Sequence, residues 1–149
     1  MSVVAEAKAQ LTGRQQLECL MTAGGWEGIG ATLGFRLVEV GDGRAVFEGA
    51  PGRSVYNPIG TVHGGYAATL LDSACGCAVH STLSAQQGYT TLELKVAYHR
   101  AMTEATGPVR AEGKVIQVGR RAAFAEATLK GLDGKLYASA TSTLLVFDR

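Results

Sequence analysis

Hydrophobic and polar residues alternate through most of the second half of the chain, and this period of two predicts β-strands. Four segments carry the pattern, with short turn sequences between them. Two further alternating segments lie upstream, on either side of the turn sequence Gly-Asp-Gly, and they predict an antiparallel hairpin. The six predicted strands are FRLVEV, RAVFEG, TTLELKVAYHR, VRAEGKVIQV, RAAFAEATLK and KLYASATSTLLVF.

Helical patterns occupy two segments. Residues 6–23 mix Ala, Gln, Leu, Glu and Met, and they predict an N-terminal helix with a break at Gly13. The run from His63 to Leu83 has the length and composition of a long apolar helix. Two strands, one long helix and four strands, in this order, predict an α+β fold in which an antiparallel sheet wraps the single helix.

The long helix has two faces that both lack the charges of a solvated surface. One face is expected to pack on the sheet, and the opposite face, made of small residues, is expected to be covered by the same helix of a second subunit, antiparallel across a two-fold axis. The sheet-facing set is Ala67, Leu70, Leu71, Ala74 and Ala78; the small set is Gly65, Ala68, Asp72, Cys75, Gly76 and Val79. In the third strand, alternation separates Leu92, Leu94, Val96 and Tyr98 from Thr91, Glu93, Lys95 and Ala97.

Composition narrows the class of protein. A chain of 149 residues has the size of one domain, and 14 Lys and Arg against 13 Asp and Glu give no bulk attraction to nucleic acid or to an acidic membrane. The N-terminal sequence has no apolar signal segment, and polar residues interrupt every apolar run, which predicts a cytoplasmic protein without a membrane partner. Three cysteines, an odd number, favour free thiols over a disulfide framework, and their spacing does not predict a metal site.

One acidic residue stands out within the long helix. Asp72 is the only formally charged side chain between Arg53 and Glu93, and no cationic residue lies one helical turn from it. An Asp exposed to water would need no partner and no chemistry. A carboxylate on an otherwise apolar face is more costly, so it predicts a polar gap in an interface.

The sequence His-Gly-Gly at the start of the same helix supplies a second feature. Backbone N–H groups at a helix N-terminus are unpaired and lie at its positive end, where they can stabilise a developing oxyanion. Gly64 and Asp72 are eight residues apart, or about 12 Å along one helix, so both cannot touch one carbonyl. Antiparallel pairing across a dimer would bring Asp72 of one chain beside Gly64 of the other.

The segments NPIGTVHGGYAATLLDSA, GYTTLELKVAYHR and GRRAAFAEATL together resemble the hotdog-fold acyl-CoA thioesterases. The resemblance is to the phenylacetate-pathway (PaaI-like) branch, which is also similar to the 4-hydroxybenzoyl-CoA thioesterases. It implies a hotdog domain over residues 31–149, preceded by a helical extension over residues 1–30. It also implies an acyl-CoA substrate, a homodimer or a dimer of dimers, and no cofactor, because coenzyme A is part of the substrate.

The resemblance assigns roles to five residues. Asn57 and His63 would orient the thioester, and the Gly64 N–H would polarise its carbonyl. Asp72 from the partner subunit would attack the carbonyl or activate a water, and the family pattern allows either. Thr91 falls where related enzymes carry a Ser or Thr that assists near the acid. Where the 4-hydroxybenzoyl-CoA enzymes have Glu and, one turn later, Thr, this chain has Asp and Gly76, which favours the phenylacetate-type group.

The phosphates of coenzyme A require local cations, and the candidates are Arg120 and Arg121, followed by Arg100 and Lys95. For any one of them, a solvated surface cation is an equal interpretation. Gly65 and Tyr66 are expected at the substrate; Tyr66, Leu70 and Trp26 are candidates for the acyl pocket, although core packing would also explain them.

Two other functions remain open at this stage. A hotdog hydratase or dehydratase would also use a His and an acid near the helix, but the Pro-containing helix entry usual for that class is missing. A non-catalytic acyl-CoA-binding module would fit the fold, although the presence of Asp72 argues against it.

Overall fold

The protein is described here by a computed structural model, which covers residues 10–25 and 27–149. Within these ranges it has three α-helices, two short 3-10 helices (Arg53–Val55 and Glu104–Thr106) and six strands. The α-helices are α1 (Gly13–Thr22), α2 (Ile29–Leu33) and α3 (Gly64–His80). The strands are β1 (Phe35–Gly41), β2 (Arg44–Gly49), β3 (Gln87–Tyr98), β4 (Val109–Val118), β5 (Ala122–Gly131) and β6 (Leu136–Asp148).

The strands form one antiparallel sheet in the order β1-β2-β4-β5-β6-β3, and α3 contacts all six of them. The sheet therefore curves around the helix, and the predicted α+β hotdog architecture is confirmed. The Asp42–Gly43 turn joins β1 and β2, as the hairpin signal indicated, and Gly43 adopts the positive φ of +68° that this turn requires. None of the helices in the described ranges is long and apolar enough to cross a membrane.

Small residues let α3 approach the sheet closely. A Cβ added to Gly113 in β4 would overlap the carbonyl oxygen of Ala74, so the two backbones lie in direct contact at this point. The helix residues predicted to face the sheet are all buried. Alanines line the facing surface of the strands, at positions 45, 111, 123, 125, 127, 138 and 140, and all of them are buried.

The second face of α3 is covered by the chain itself over its C-terminal half. Cys75, Gly76 and Val79 are buried within the single chain, and the Tyr89 ring of β3 lies against Gly76. The expectation that a second subunit covers this whole face is therefore wrong for its C-terminal half, because Tyr89 of β3 packs there. Gly65 is exposed, and Ala68 and Asp72 are only partly buried, so an open stretch remains in the N-terminal half.

A β-bulge in β3 changes which of its residues face the helix. The register with β6 shifts between Thr91 and Glu93, leaving Leu92 as the extra residue. Leu92 is 59% exposed, whereas Thr91 pairs with the buried Leu144 and faces inward. The predicted strict alternation is therefore wrong at this point: Thr91 shares the inner face with Leu94, Val96 and Tyr98, and Leu92 does not.

The N-terminal helix begins at Gly13, and the Thr12 hydroxyl accepts the Gln15 N–H in a capping box. The predicted helix thus starts later than expected among the described residues, because Thr12 caps it; residues 6–9 lie outside the described ranges. Leu17 of α1 is 4% exposed and joins the core, and Gln16 hydrogen-bonds His80 at the end of α3.

We expect Gly113→Ala to lower the free energy of unfolding by about 2–3 kcal/mol, because the new methyl group would meet helix backbone rather than a movable side chain. Urea denaturation followed by circular dichroism measures the change. Gly52→Ala is the matched control, because a Cβ there has nothing within 4 Å and its φ is −111°. Equal effects of the two substitutions would contradict the close contact between β4 and α3.

Candidate active site

At the start of α3, one backbone N–H has no hydrogen-bond partner within residues 10–25 and 27–149. His63 is the N-cap residue, and its Nδ1 accepts a hydrogen bond from the Gly65 N–H at 2.7 Å. The His63 carbonyl accepts from the Tyr66 N–H at 3.0 Å. Among the described residues nothing accepts from the Gly64 N–H. This donor lies at the positive end of a 17-residue helix, where a negative charge is stabilised.

Tyr98, at the end of β3, contacts the same residue from the other side. Its hydroxyl donates to the Gly64 carbonyl at 2.8 Å, and its ring lies so close that a Cβ on Gly64 would be 3.0 Å from the ring Cζ. Tyr98 was not among the predicted site residues. Its place on the same strand face as Leu94 and Val96 was the available signal, since that face meets the helix.

A cavity of about 390 Å³ opens beside Gly64. His63 and Arg100 contribute polar groups to it, and Tyr98, Met102 and Tyr137 contribute larger, mainly apolar ones. The cavity therefore combines apolar walls with a backbone donor and a cation, which suits a ligand with a carbonyl group and an anionic part.

Asp72 lies two turns further along α3 and has one close polar partner. The Thr91 hydroxyl donates to its Oδ1 at 3.0 Å, and this contact exists because the bulge turns Thr91 inward. No described Lys or Arg forms an ion pair with Asp72. The acid therefore lacks a cationic partner among its neighbours in the fold as well as in the sequence. Its Oδ2 has no hydrogen bond within the described ranges, which leaves that oxygen available for chemistry.

The cysteines near Asp72 are poor nucleophiles. Burial, followed by the charge of Asp72, raises the pKa of both the Cys75 and the Cys77 thiol to about 12. At neutral pH both remain thiols, which do not attack carbonyl groups effectively. Among the described residues, no cluster of three or more His, Cys, Asp or Glu could hold a metal ion.

Asn57 organises the loop that leads into His63. Its Oδ1 accepts from the N–H groups of Ile59 and Thr61, each at 3.1 Å, and its Nδ2 donates to the Thr61 hydroxyl at 2.8 Å. Its amide thus holds the loop in shape. A direct contact of Asn57 with substrate stays a prediction.

The predicted coenzyme A cations fall into separate groups. Arg100 lines the cavity beside Gly64. Arg120 and Arg121 precede β5, whose first residue pairs with Leu145 and so lies level with Thr90, at the other end of the sheet. Lys95 is exposed and points to the outer sheet face, because its partner Thr141 is on that face.

The candidate pocket residues lie mostly in the core. Leu70 is fully buried, and Tyr66 is 3% exposed with a hydroxyl that no other described residue hydrogen-bonds. Burial raises the pKa of Tyr66 to about 12. Gly65 is exposed at the start of α3, and Trp26 lies outside the described residues.

Gly76 and Tyr89 fill the region one turn after the acid. A Cβ on Gly76 would lie 2.5 Å from the Tyr89 hydroxyl oxygen and 2.9 Å from its ring Cε2. Burial, with smaller contributions from Cys77 and Asp72, raises the pKa of Tyr89 well above its usual range. The space that a Thr would occupy after the acid is therefore taken by an uncharged aromatic side chain from β3.

Comparison with known proteins identifies relatives of this chain. The family described as "Thioesterase superfamily" matches residues 59–138, which contain α3 and most of the candidate site. A putative esterase of Saccharolobus solfataricus is 32% identical over 108 residues, covering 72% of this chain and 75% of the relative. A putative esterase of Halobacterium salinarum is 42% identical over 69 residues, so the match spans 45% of this chain and less than half of that protein, 44%.

The fold also matches solved structures. A variant of the phenylacetic acid degradation protein PaaI of Thermus thermophilus superposes with a TM-score of 0.71 at 26% identity. The match covers 78% of this chain and 96% of the Thermus chain. The similarity of fold therefore extends over nearly all of the Thermus protein.

We expect Gly76→Ala to destabilise the protein by about 1–2 kcal/mol, because the methyl group would push against Tyr89. In a Tyr89→Ala background the same change should be neutral or stabilising, since Ala has a higher helix propensity than Gly. Thermal unfolding of the two single variants, the double variant and the parent gives the coupling between the sites. Additive effects would contradict the packing of Tyr89 on Gly76.

Proposed function

We propose that this chain, which belongs to the thioesterase superfamily, is a thioester hydrolase that cleaves a small or aromatic acyl-CoA to the free acid and coenzyme A. The observation that carries the proposal is the unpaired Gly64 N–H at the start of the helix that also holds Asp72. An oxyanion donor and a carboxylate are the two groups that acyl transfer to water requires.

The Gly64 N–H would bind the thioester carbonyl oxygen. As a nucleophile adds to the carbonyl carbon, negative charge develops on that oxygen, and the N–H and the positive end of α3 stabilise it. These groups are fixed before the substrate binds, so little reorganisation is needed at the transition state.

Asp72 would act in one of two ways. As a nucleophile it forms a mixed anhydride with the acyl group while coenzyme A leaves as the thiolate, and water then hydrolyses the anhydride. As a general base it takes a proton from water, whose oxygen adds to the carbonyl before the thiolate leaves. In both routes Thr91 holds Oδ1 at 3.0 Å and directs Oδ2 to the reaction.

The site is proposed to be shared between two subunits. Gly64 and Asp72 of one chain are about 12 Å apart along α3, which is too far for one carbonyl. The open stretch of small residues at Gly65 and Ala68 would let a second copy of α3 approach in the antiparallel sense. Each site would then combine Gly64 and the cavity of one chain with Asp72 and Thr91 of its partner.

The same pairing would unite the cations for coenzyme A. Arg100 lies at the Gly64 end of each protomer and Arg121 at the Thr91 end. When two copies of α3 pair antiparallel across a two-fold axis, the Gly64 end of one chain lies beside the Thr91 end of the other. Arg100 of one chain and Arg121 of its partner would then flank one site. Arg120 and Arg121 are exposed and form no ion pair with any described residue, which leaves them free for phosphates.

We expect Asp72→Asn to lower kcat by at least about 1,000-fold, because the amide neither attacks the carbonyl nor accepts a proton from water. Thiol release from a panel of short and aromatic acyl-CoAs measures the change. Asp42→Asn is the control, since it replaces a surface Asp in the β1–β2 turn. Binding without thiol release by the parent would favour an acyl-CoA-binding module instead.

The shared site has its own test in mixed oligomers. Gly64→Pro removes the N–H at the first helical position, where the fixed φ of Pro suits a helix, and leaves Asp72 in place. Its ring also displaces Tyr98, which belongs to the same half of the proposed site. Heterodimers of Gly64→Pro and Asp72→Asn chains hold one intact composite site, so they should recover up to about half of the parental activity. Purification through two different affinity tags isolates them, and no recovery in folded heterodimers would contradict a shared site.

A further inference from the structure

The peptide group that follows Gly64 is held at both of its ends. Its carbonyl oxygen accepts from the Tyr98 hydroxyl at 2.8 Å, and its N–H, which belongs to Gly65, donates to His63 Nδ1 at 2.7 Å. The peptide group that precedes Gly64 is held by its carbonyl, which accepts from the Tyr66 N–H. Of the four polar groups in these two peptides, the Gly64 N–H is the one that has no partner among the residues the structure describes.

Tyr98 also fixes Gly64 by contact. The ring atoms Cε1 and Cζ lie 3.2 and 3.0 Å from the position that a Gly64 Cβ would take. Tyr98 is 57% exposed, so this contact does not arise from burial in the core. Tyr98 ends β3 at the edge of the cavity and contacts the first residue of α3. From this position it can control the direction of the Gly64 N–H.

We infer that Tyr98 is a positioning residue for the Gly64 N–H, an inference that rests on the proposed function. Its hydroxyl holds the Gly64 carbonyl, and its ring limits the movement of the Gly64 backbone. The N–H therefore keeps the orientation needed for the oxyanion, although Tyr98 itself does not touch the reacting atoms. Small displacements of such donors have large effects on rate, because the bond must be strongest in the transition state.

Strand β3 then supports both the proposed oxyanion donor and the acid. Thr91 and Tyr98 lie on the inner face of β3, and each donates its hydroxyl to a group on α3: Thr91 to the Asp72 carboxylate and Tyr98 to the Gly64 carbonyl. Across a two-fold axis, the Tyr98 of one chain and the Thr91 of the other would support the same substrate carbonyl from opposite sides.

The first test is Tyr98→Phe, which keeps the ring and removes the hydroxyl. We expect kcat to fall about tenfold with KM changed by less than about twofold, since the lost contact matters most as charge develops. Tyr56→Phe is the matched control, because the Tyr56 hydroxyl also bonds a backbone group, the Glu104 N–H, at 2.7 Å. Equal kcat values for the two variants would overturn the inference.

The second test measures carbonyl polarisation without turnover. Phenylacetyl-CoA labelled with carbon-13 at its carbonyl is bound to Asp72→Asn protein, and isotope-edited infrared spectroscopy records the C=O stretching frequency. We expect a shift to lower frequency on binding, and the Asp72→Asn/Tyr98→Phe protein should lose at least about half of that shift. A full shift in the double variant would overturn the positioning role.

The two proposals fail in different ways. A parent protein that hydrolyses acyl-CoA, together with an unchanged kcat and an unchanged carbonyl shift in the Tyr98 variants, overturns the inference and leaves the function standing. A parent that binds and polarises the carbonyl but releases no thiol overturns the function, and the infrared comparison still decides the role of Tyr98. A parent that binds no acyl-CoA overturns both.

Discussion

The backbone of α3 rests directly on the backbone of β4, because Gly113 has no side chain to separate them. This contact fixes the depth at which the helix sits, and the alanines of the surrounding strands bring the sheet close on either side. Both candidate catalytic groups, the Gly64 N–H and the Asp72 carboxylate, belong to this helix. Their positions relative to β3 therefore depend on close packing that larger side chains would prevent.

The polar groups of α3 are distributed unevenly along its length. Its first turn presents a backbone donor, its middle carries one carboxylate, and its last turns are buried under Tyr89 and beside α1. The chain buries the C-terminal half of the second face of α3 and leaves the stretch around Asp72 partly exposed. The side chains of that open stretch are small, and small side chains allow a second helix to approach closely.

Much of this was predictable from local patterns. Alternation located all six strands, and the two-residue turn and the apolar run gave the hairpin and α3, because each signal arises within a few residues. The bulge at Leu92 was not predictable, since an extra residue leaves the alternation of TTLELKVAY intact in the sequence while the ladder with β6 shifts. The contacts of Tyr98 with Gly64 and of Tyr89 with Gly76 depend on the curvature of the sheet, which no short segment encodes.

The extra residue in β3 lies outside the ladder that joins this strand to β6. The residues on either side of Leu92 pair with consecutive residues of β6, Thr91 with Leu144 and Glu93 with Thr143, so a strand without Leu92 would keep the same register. Thr91 would remain on the inner face with its hydroxyl beside Asp72, and Glu93 would remain on the outer face. The length of β3 can therefore change by one residue at this point without separating Asp72 from its partner Thr91.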